Sequence, residues 1–112
     1  MSDITISNPI SAADGPTIVG LGSDAFNAWH EIGVQVVDSS GVSQVPAAGV
    51  LTGKAGGIGS DVPEDFTESL NLVTGERRWK PFLSTVDYLE FEAVGLDVGL
   101  SVIVSIVHIN VS

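Results

Sequence analysis

Two histidines, His30 and His108, are the only imidazole bases in the chain, and there is no cysteine. A hydrolase built on either would need a nucleophile and an orienting group within hydrogen-bond reach. Glu31 adjoins His30 and Asp24 is near it in sequence, but neighbouring residues of a strand point to opposite faces, so Glu31 is not placed to orient the ring. His108 sits within an apolar run and reads as a packed or interface histidine. Carboxylates are plentiful. Glu90 and Glu92 would share a strand face about 7 Å apart, a spacing open to acid/base chemistry but common on a solvated face. Asp61, Glu64 and Asp65 could offer oxygens to calcium, yet the spaced oxygens, glycine and closing glutamate of an EF-hand loop are missing. Gly53-Lys54-Ala55-Gly56-Gly57-Ile58-Gly59 lacks the serine or threonine after lysine that a phosphate-binding loop requires, and no helix pattern follows it. It reads as a loop or a bulged strand. Gly20-Leu21-Gly22-Ser23-Asp24 and Gly57-Ile58-Gly59-Ser60-Asp61 share a turn-like pattern, but their flanks do not match and no duplication follows. The chain is therefore read as a non-enzyme, with no catalytic residue, no cofactor and no metal site expected.

One cluster suits binding rather than catalysis. Glu76-Arg77-Arg78-Trp79-Lys80 holds three of the four basic residues beside one of two tryptophans. Arginine and tryptophan are enriched where interfaces concentrate their energy. Two readings stand: Arg77, Arg78 and Trp79 meet a neighbouring acidic copy, or the arginines pair within the chain with Glu64 or Glu68.

The elements that position these residues are strands. Of 112 residues, 44% are apolar, and no window keeps helical periodicity for three turns. Short β-prone runs separated by glycine, proline, aspartate and serine predict strands near 3–7, 17–21, 29–38, 48–54, 66–73, 76–80, 86–94 and 100–110. Thr74-Gly75 reads as the centre of a hairpin between the fifth and sixth of these. The fold class expected is all-β: a β-sandwich or partly closed barrel of about seven or eight short, mainly antiparallel strands. One domain over residues 1–112 is expected, with residues 1–16 open to reading as an extended N-terminal arm.

The last run is apolar on both faces. Leu100, Val102, Val104 and Ile106 line one, and Ile103, Val107, Ile109 and Val111 line the other, relieved by Ser101 and Ser105. A strand apolar on both faces is covered on both, and the second cover is either the chain's own loops or another subunit. Mean hydropathy is positive, high for a small domain with a large surface fraction. Ile103, Val107 and Ile109 therefore join Arg77, Arg78 and Trp79 as interface candidates.

Fourteen acidic residues against four basic give a net charge of −10, which opposes direct contact with nucleic acid or anionic lipid. Residues 98–111 fall short of the roughly 20 apolar residues a spanning helix requires. The start of the chain shows neither the basic nor the apolar region of a secretory signal, so synthesis in the cytoplasm is expected.

The absence of cysteine, the acidic, glycine-rich chain and the pair Val86-Asp87-Tyr88-Leu89-Glu90-Phe91-Glu92-Ala93-Val94-Gly95-Leu96 and Leu100-Ser101-Val102-Ile103-Val104-Ser105-Ile106 resemble the small β-sandwich structural proteins of tailed bacteriophage virions, above all capsid decoration (cement) proteins. The resemblance lies in the last third of the chain. It implies a homo-oligomer, often a trimer, made in the host cytoplasm and bound on the capsid surface. The implied partner is the major capsid protein or another virion protein, gripped through interfaces near 1,600 Å² repeated many times. A tail or head-tail connector component is the alternative within that class. A carbohydrate-binding or adhesin module is the alternative outside it, with Trp29, Trp79 and Tyr88 available to stack on sugars, although aromatics make up only 6% of the chain.

Overall fold

Alternation with a period of two governs the longest ladder. Val102, Val104 and Ile106 are fully enclosed, while Ile103 and Val107 between them are half-buried, as expected of a strand with one face on a core. The computed structural model describes residues 2–20, 28–56, 64–65, 69–79, 82–84 and 88–110. Among them run nine strands: β1 (Ser2–Ile6), β2 (Thr17–Gly20), β3 (Ala28–Val37), β4 (Val50–Gly56), β5 (Glu64–Asp65), β6 (Leu70–Asn71), β7 (Phe82–Ser84), β8 (Tyr88–Val94) and β9 (Ser101–Asn110). A single 3₁₀ turn, Ala12–Asp14, links β1 to β2, with the Asp14 carboxylate accepting from the Ser11 amide at 2.7 Å. No helix among the described residues is long and apolar enough to cross a membrane.

The strands form two separate antiparallel sheets, which settles the architecture as a sandwich rather than a barrel. The first has the order β1-β9-β3-β7, and the second β2-β8-β4-β5 with β6 also on β4. Ten consecutive pairs join β3 to β9, placing Ile32, Val34 and Val36 opposite Ile106, Val104 and Val102. The second sheet answers with Leu89, Phe91 and Ala93 on β8 and Leu51 on β4, all buried. These two rows, closed by Ile10, Val19, Leu72 and Trp79, make one core. Each large aliphatic side chain enclosed in this way contributes roughly 1.5–3 kcal/mol.

Three expectations change on contact with the fold. Gly53–Gly56, open to reading as loop or bulged strand beyond the strand expected at 48–54, continues β4 as regular strand, with Gly53 buried directly opposite Phe91. Gly57, Ile58, Gly59 and Asp61 lie outside the described residues. The run at 66–73 contributes only Leu70–Asn71 within the described residues, and residues 76–79 do not return along it as a hairpin arm. Instead the turn at 72–75, with Gly75 at φ 88°, carries the chain from the second sheet to the first. There the Arg77 carbonyl accepts from the Val34 amide at 2.8 Å. The reason is burial: Leu72 and Trp79 flank the turn and both enter the core, which a flat hairpin would not allow.

The turn after β3 is held by one side chain. Asp38 accepts from the Ser40 amide at 2.8 Å, the Val42 amide at 3.1 Å and the Gln44 side chain at 2.9 Å. These bonds, the Gln44 one foremost, hold its carboxyl below the usual value of 3.8. A depressed folded value means the tether is fully formed above pH 3.8 and is lost only as pH falls through a lower one. Amide shifts of Ser40 and Val42 followed by NMR should thus titrate with a midpoint below 3.8. A midpoint at or above that value would refute the tether.

Candidate assembly surface

The outer face of the first sheet is built by the parity of β9. With Val102, Val104 and Ile106 facing the core, Ile103 and Val107 must face away from it. The ladder sets Ile4 of β1 beside Val107 and Glu31 of β3 on its other side, while Ile6 lies beside Ser105, and Gln35 beside Ile103. Ile4 and Ile6 are 67% and 65% exposed. Four β-branched residues thus share one outward surface, with Ser105 and Gly33 between them adding little bulk. Ile109 falls at the next outward register position, paired with Ser2 and Trp29, but its side chain lies outside the described residues.

Residue type alone would place Ile4 and Ile6 inward, and the sequence reading did not single out their exposure. The deciding feature is a bulge. After the Ile6–Ser105 pair, β1 breaks, and the chain rejoins β9 where Ile10 and Val102 exchange two backbone bonds of 2.8 Å. Residues 7–9 thereby face only 103–104. The Ser7 hydroxyl accepts the Val104 amide at 2.9 Å, and Pro9 has no amide to leave unpaired. The bulge lets Ile10 reach the core at 1% exposure, and parity then turns Ile4 and Ile6 out. The readable signal was Asn8-Pro9 between Ile6 and Ile10, which are four residues apart where Ile4 and Ile6 are two apart.

The basic cluster is divided. Trp79 is buried, its ring centroid 5.7 Å from that of Phe91 at a tilt of 36°. Arg77 is half-buried, and its guanidinium donates to the carbonyls of Leu72 at 2.9 Å and Glu76 at 2.8 Å. Arg78 is exposed, its backbone bridged to Gly33. The intramolecular partners considered for the arginines fall partly outside the described residues: Glu68 wholly, and Glu64 in its side chain.

Other chemistry-bearing residues are scattered. The backbone register aligns Asp3, His108 and His30 in one row across three strands, an alignment set by pairing at a distance and not by any local pattern. Their side chains lie outside the described residues. Glu90 and Glu92 are half-buried on the outer face of the second sheet, opposite Lys54 and Thr52. Among the described residues no three histidine, aspartate or glutamate side chains come together as a metal would require.

No family model matches the chain, and no curated protein does. Solved structures do. A subunit of the disulfide-linked pili that form Bacillus endospore appendages superposes with a TM-score of 0.52 at 13% identity, over 100% of this chain and 88% of that one. The Drosophila NLP core, a structure described for pentamer formation and histone binding, gives 0.49 at 9% identity over 100% of both chains. The SPBc2 prophage-derived protein YomS gives 0.46 at 20% identity over 97% of this chain and 96% of that one. At this level of identity, the pilus likeness is one of fold: a small antiparallel β-sandwich that lacks, in this chain, any cysteine to make the disulfide links.

Proposed function

We propose that the chain is a non-enzymatic structural subunit of a virion, a capsid decoration protein that sets the outer face of its first sheet against shell protein and against its own copies. The observation that carries this is the outward group Ile4, Ile6, Ile103 and Val107. Two of its isoleucines are about two-thirds exposed, on a sheet whose other face is already the core. Contiguous exposed apolar surface of this kind marks interaction sites. The same fold in a pilus subunit supports the use of such a sandwich as a building block. In this reading the protein is made in the host cytoplasm, forms a homo-oligomer, and ends on the capsid surface. A carbohydrate-binding module has less support, because Trp79, one of the aromatics it would present, packs in the core.

The test is light scattering coupled to size exclusion, with co-sedimentation against heads of the virus that encodes the chain. Wild-type protein should run as an oligomer and come down with the shells. Ile4→Asp combined with Ile6→Asp should weaken both by more than tenfold, since each buried isoleucine is worth about 1.5–3 kcal/mol. Circular dichroism should stay unchanged, because neither side chain enters the core. A wild-type chain that remains monomeric near 1 mM and stays in the supernatant overturns the proposal.

A further inference from the structure

The free edge of β3 is tiled by three short pieces, and the tiling leaves one gap. β7 pairs with residues 28–30. Next, the Ile32 carbonyl accepts from the Trp79 amide at 3.2 Å and the Val34 amide donates to the Arg77 carbonyl at 2.8 Å. Beyond that, the Val36 carbonyl accepts from the Gln44 amide at 2.9 Å. Alternate residues of a strand direct both backbone groups to the same edge, so Val34 and Val36 each present a carbonyl and an amide here. The Val34 carbonyl and the Val36 amide have no backbone partner among the described residues. One acceptor and one donor, flanking Gln35, are what an added extended chain pairs with.

Both groups border a groove of about 310 Å³ between residues 43–45 and Arg77. Its walls combine an apolar side chain, Val45, 73% exposed, with the Arg77 guanidinium, which two carbonyls of its own chain hold in place. An arginine has five donor hydrogens, and Nη1 is the atom engaged by those carbonyls. Arg78 stands exposed next along the edge, with no carboxylate partner among the described residues, in a chain of 14 acidic residues. The nearby carboxylates are occupied: Asp38 by three donors, and Glu76 by the Thr74 hydroxyl at 3.0 Å.

We infer that this notch captures an extended acidic segment of a partner protein, which adds to the β3 edge by backbone pairing at Val34 and Val36 and places its carboxylates on Arg77 and Arg78. Backbone groups supply affinity without sequence preference, and the two guanidinium groups select for negative charge. The site lies at the β3 edge, where Arg78, bridged to Gly33, and Gln35, beside Ile103, border the outer face proposed for assembly, while Ile4 and Ile6 stand two strands away on β1.

The experiment is an NMR titration of the full chain with a short blocked peptide in which valines flank two adjacent glutamates, whose side chains point to opposite faces as those of Arg77 and Arg78 do. The Val36 amide should shift on addition, and the affinity should fall with added salt. A peptide with glutamine for glutamate, or the acidic peptide against Arg78→Glu protein, should bind roughly tenfold more weakly. A peptide N-methylated at its central residue should lose binding, because the donor to the Val34 carbonyl is gone. Unlabelled chain that shifts Val36 in labelled chain would identify a second copy as the source of the acidic segment. Equal binding of the glutamine or N-methylated peptides, or an unchanged affinity in Arg78→Glu protein, overturns the inference. The Ile4→Asp, Ile6→Asp protein, changed only on β1 at the far side of β9, should bind the acidic peptide as wild type does, so the two proposals fail separately.

Discussion

Replacing Phe91 with alanine should lower the stability of the folded chain by about 3–5 kcal/mol, the largest loss expected of any single side chain here. Phe91 is fully buried at the middle of β8, which lies between β2 and β4 in the second sheet. Its ring meets Trp79, the residue that brings the 76–79 segment into the core, so one truncation loosens both sheets at once. The cavity is hard to close, since Gly53 opposite has no side chain to move in and the flanking Leu89 and Leu51 are already enclosed. A domain of this size has roughly 5–15 kcal/mol in total, so the variant would lose from about a fifth of that stability to nearly all of it. Urea titration followed by circular dichroism reads the change directly. Phe91→Leu keeps most of the volume and should cost less than about 1.5 kcal/mol. If alanine proves as mild as leucine, Phe91 does not hold the two layers together.

How much of this was legible in the sequence depends on which forces decided each element. The long strands were legible because burial on one face imposes a period of two: 29–38 and 100–110 were expected, and Ala28–Val37 and Ser101–Asn110 are found. The division of the last strand into two apolar rows was equally plain, and burial shows which row faces the core. What local pattern could not reveal was pairing at a distance. Nothing in Glu76-Arg77-Arg78-Trp79 says that its partner is the edge of β3 rather than the preceding run, because a turn such as 72–75 suits either route. Gly53 and Lys54 fell both in the strand expected at 48–54 and in the glycine-rich loop or bulge, because propensity alone does not show that Gly53 lies buried opposite Phe91. As for the candidate surface, Ile103 and Val107 were identifiable from β9 alone. Ile4 and Ile6 were not, since their direction follows from a bulge and from the burial of Ile10. Trp79 drew notice as an aromatic among arginines and proved to pack against Phe91.

Gly49→Ala should be the second most damaging change, although it adds only one methyl group. Gly49 is buried just before β4 with φ at 145°, a conformation that L-residues rarely adopt. A Cβ placed there would lie 2.9 Å from Leu96 Cδ1 and 3.2 Å from Leu96 Cα. The side chain could rotate away, but the backbone atom cannot move without shifting the β8–β9 connection. That connection is itself fixed, because Asp97 accepts the Ala47 amide at 2.6 Å and Leu96 is buried. The Gly49 carbonyl also accepts the Leu72 amide at 3.1 Å, so the strain reaches the turn that carries the chain between sheets. Backbone strain of about 1–2 kcal/mol and overpacking of about 1–3 kcal/mol together predict a loss of roughly 2–5 kcal/mol. Gly41 and Gly99 separate the two effects: at φ 81° and 90° they are also left-handed, but a Cβ there meets nothing within 4 Å. Alanine at either should cost only about 1–2 kcal/mol, the conformational share alone. Denaturation midpoints for the three variants therefore measure the Leu96 contact by difference. Equal losses at all three positions would mean that Leu96 yields freely and that the junction of these loops is softer than its hydrogen bonds suggest.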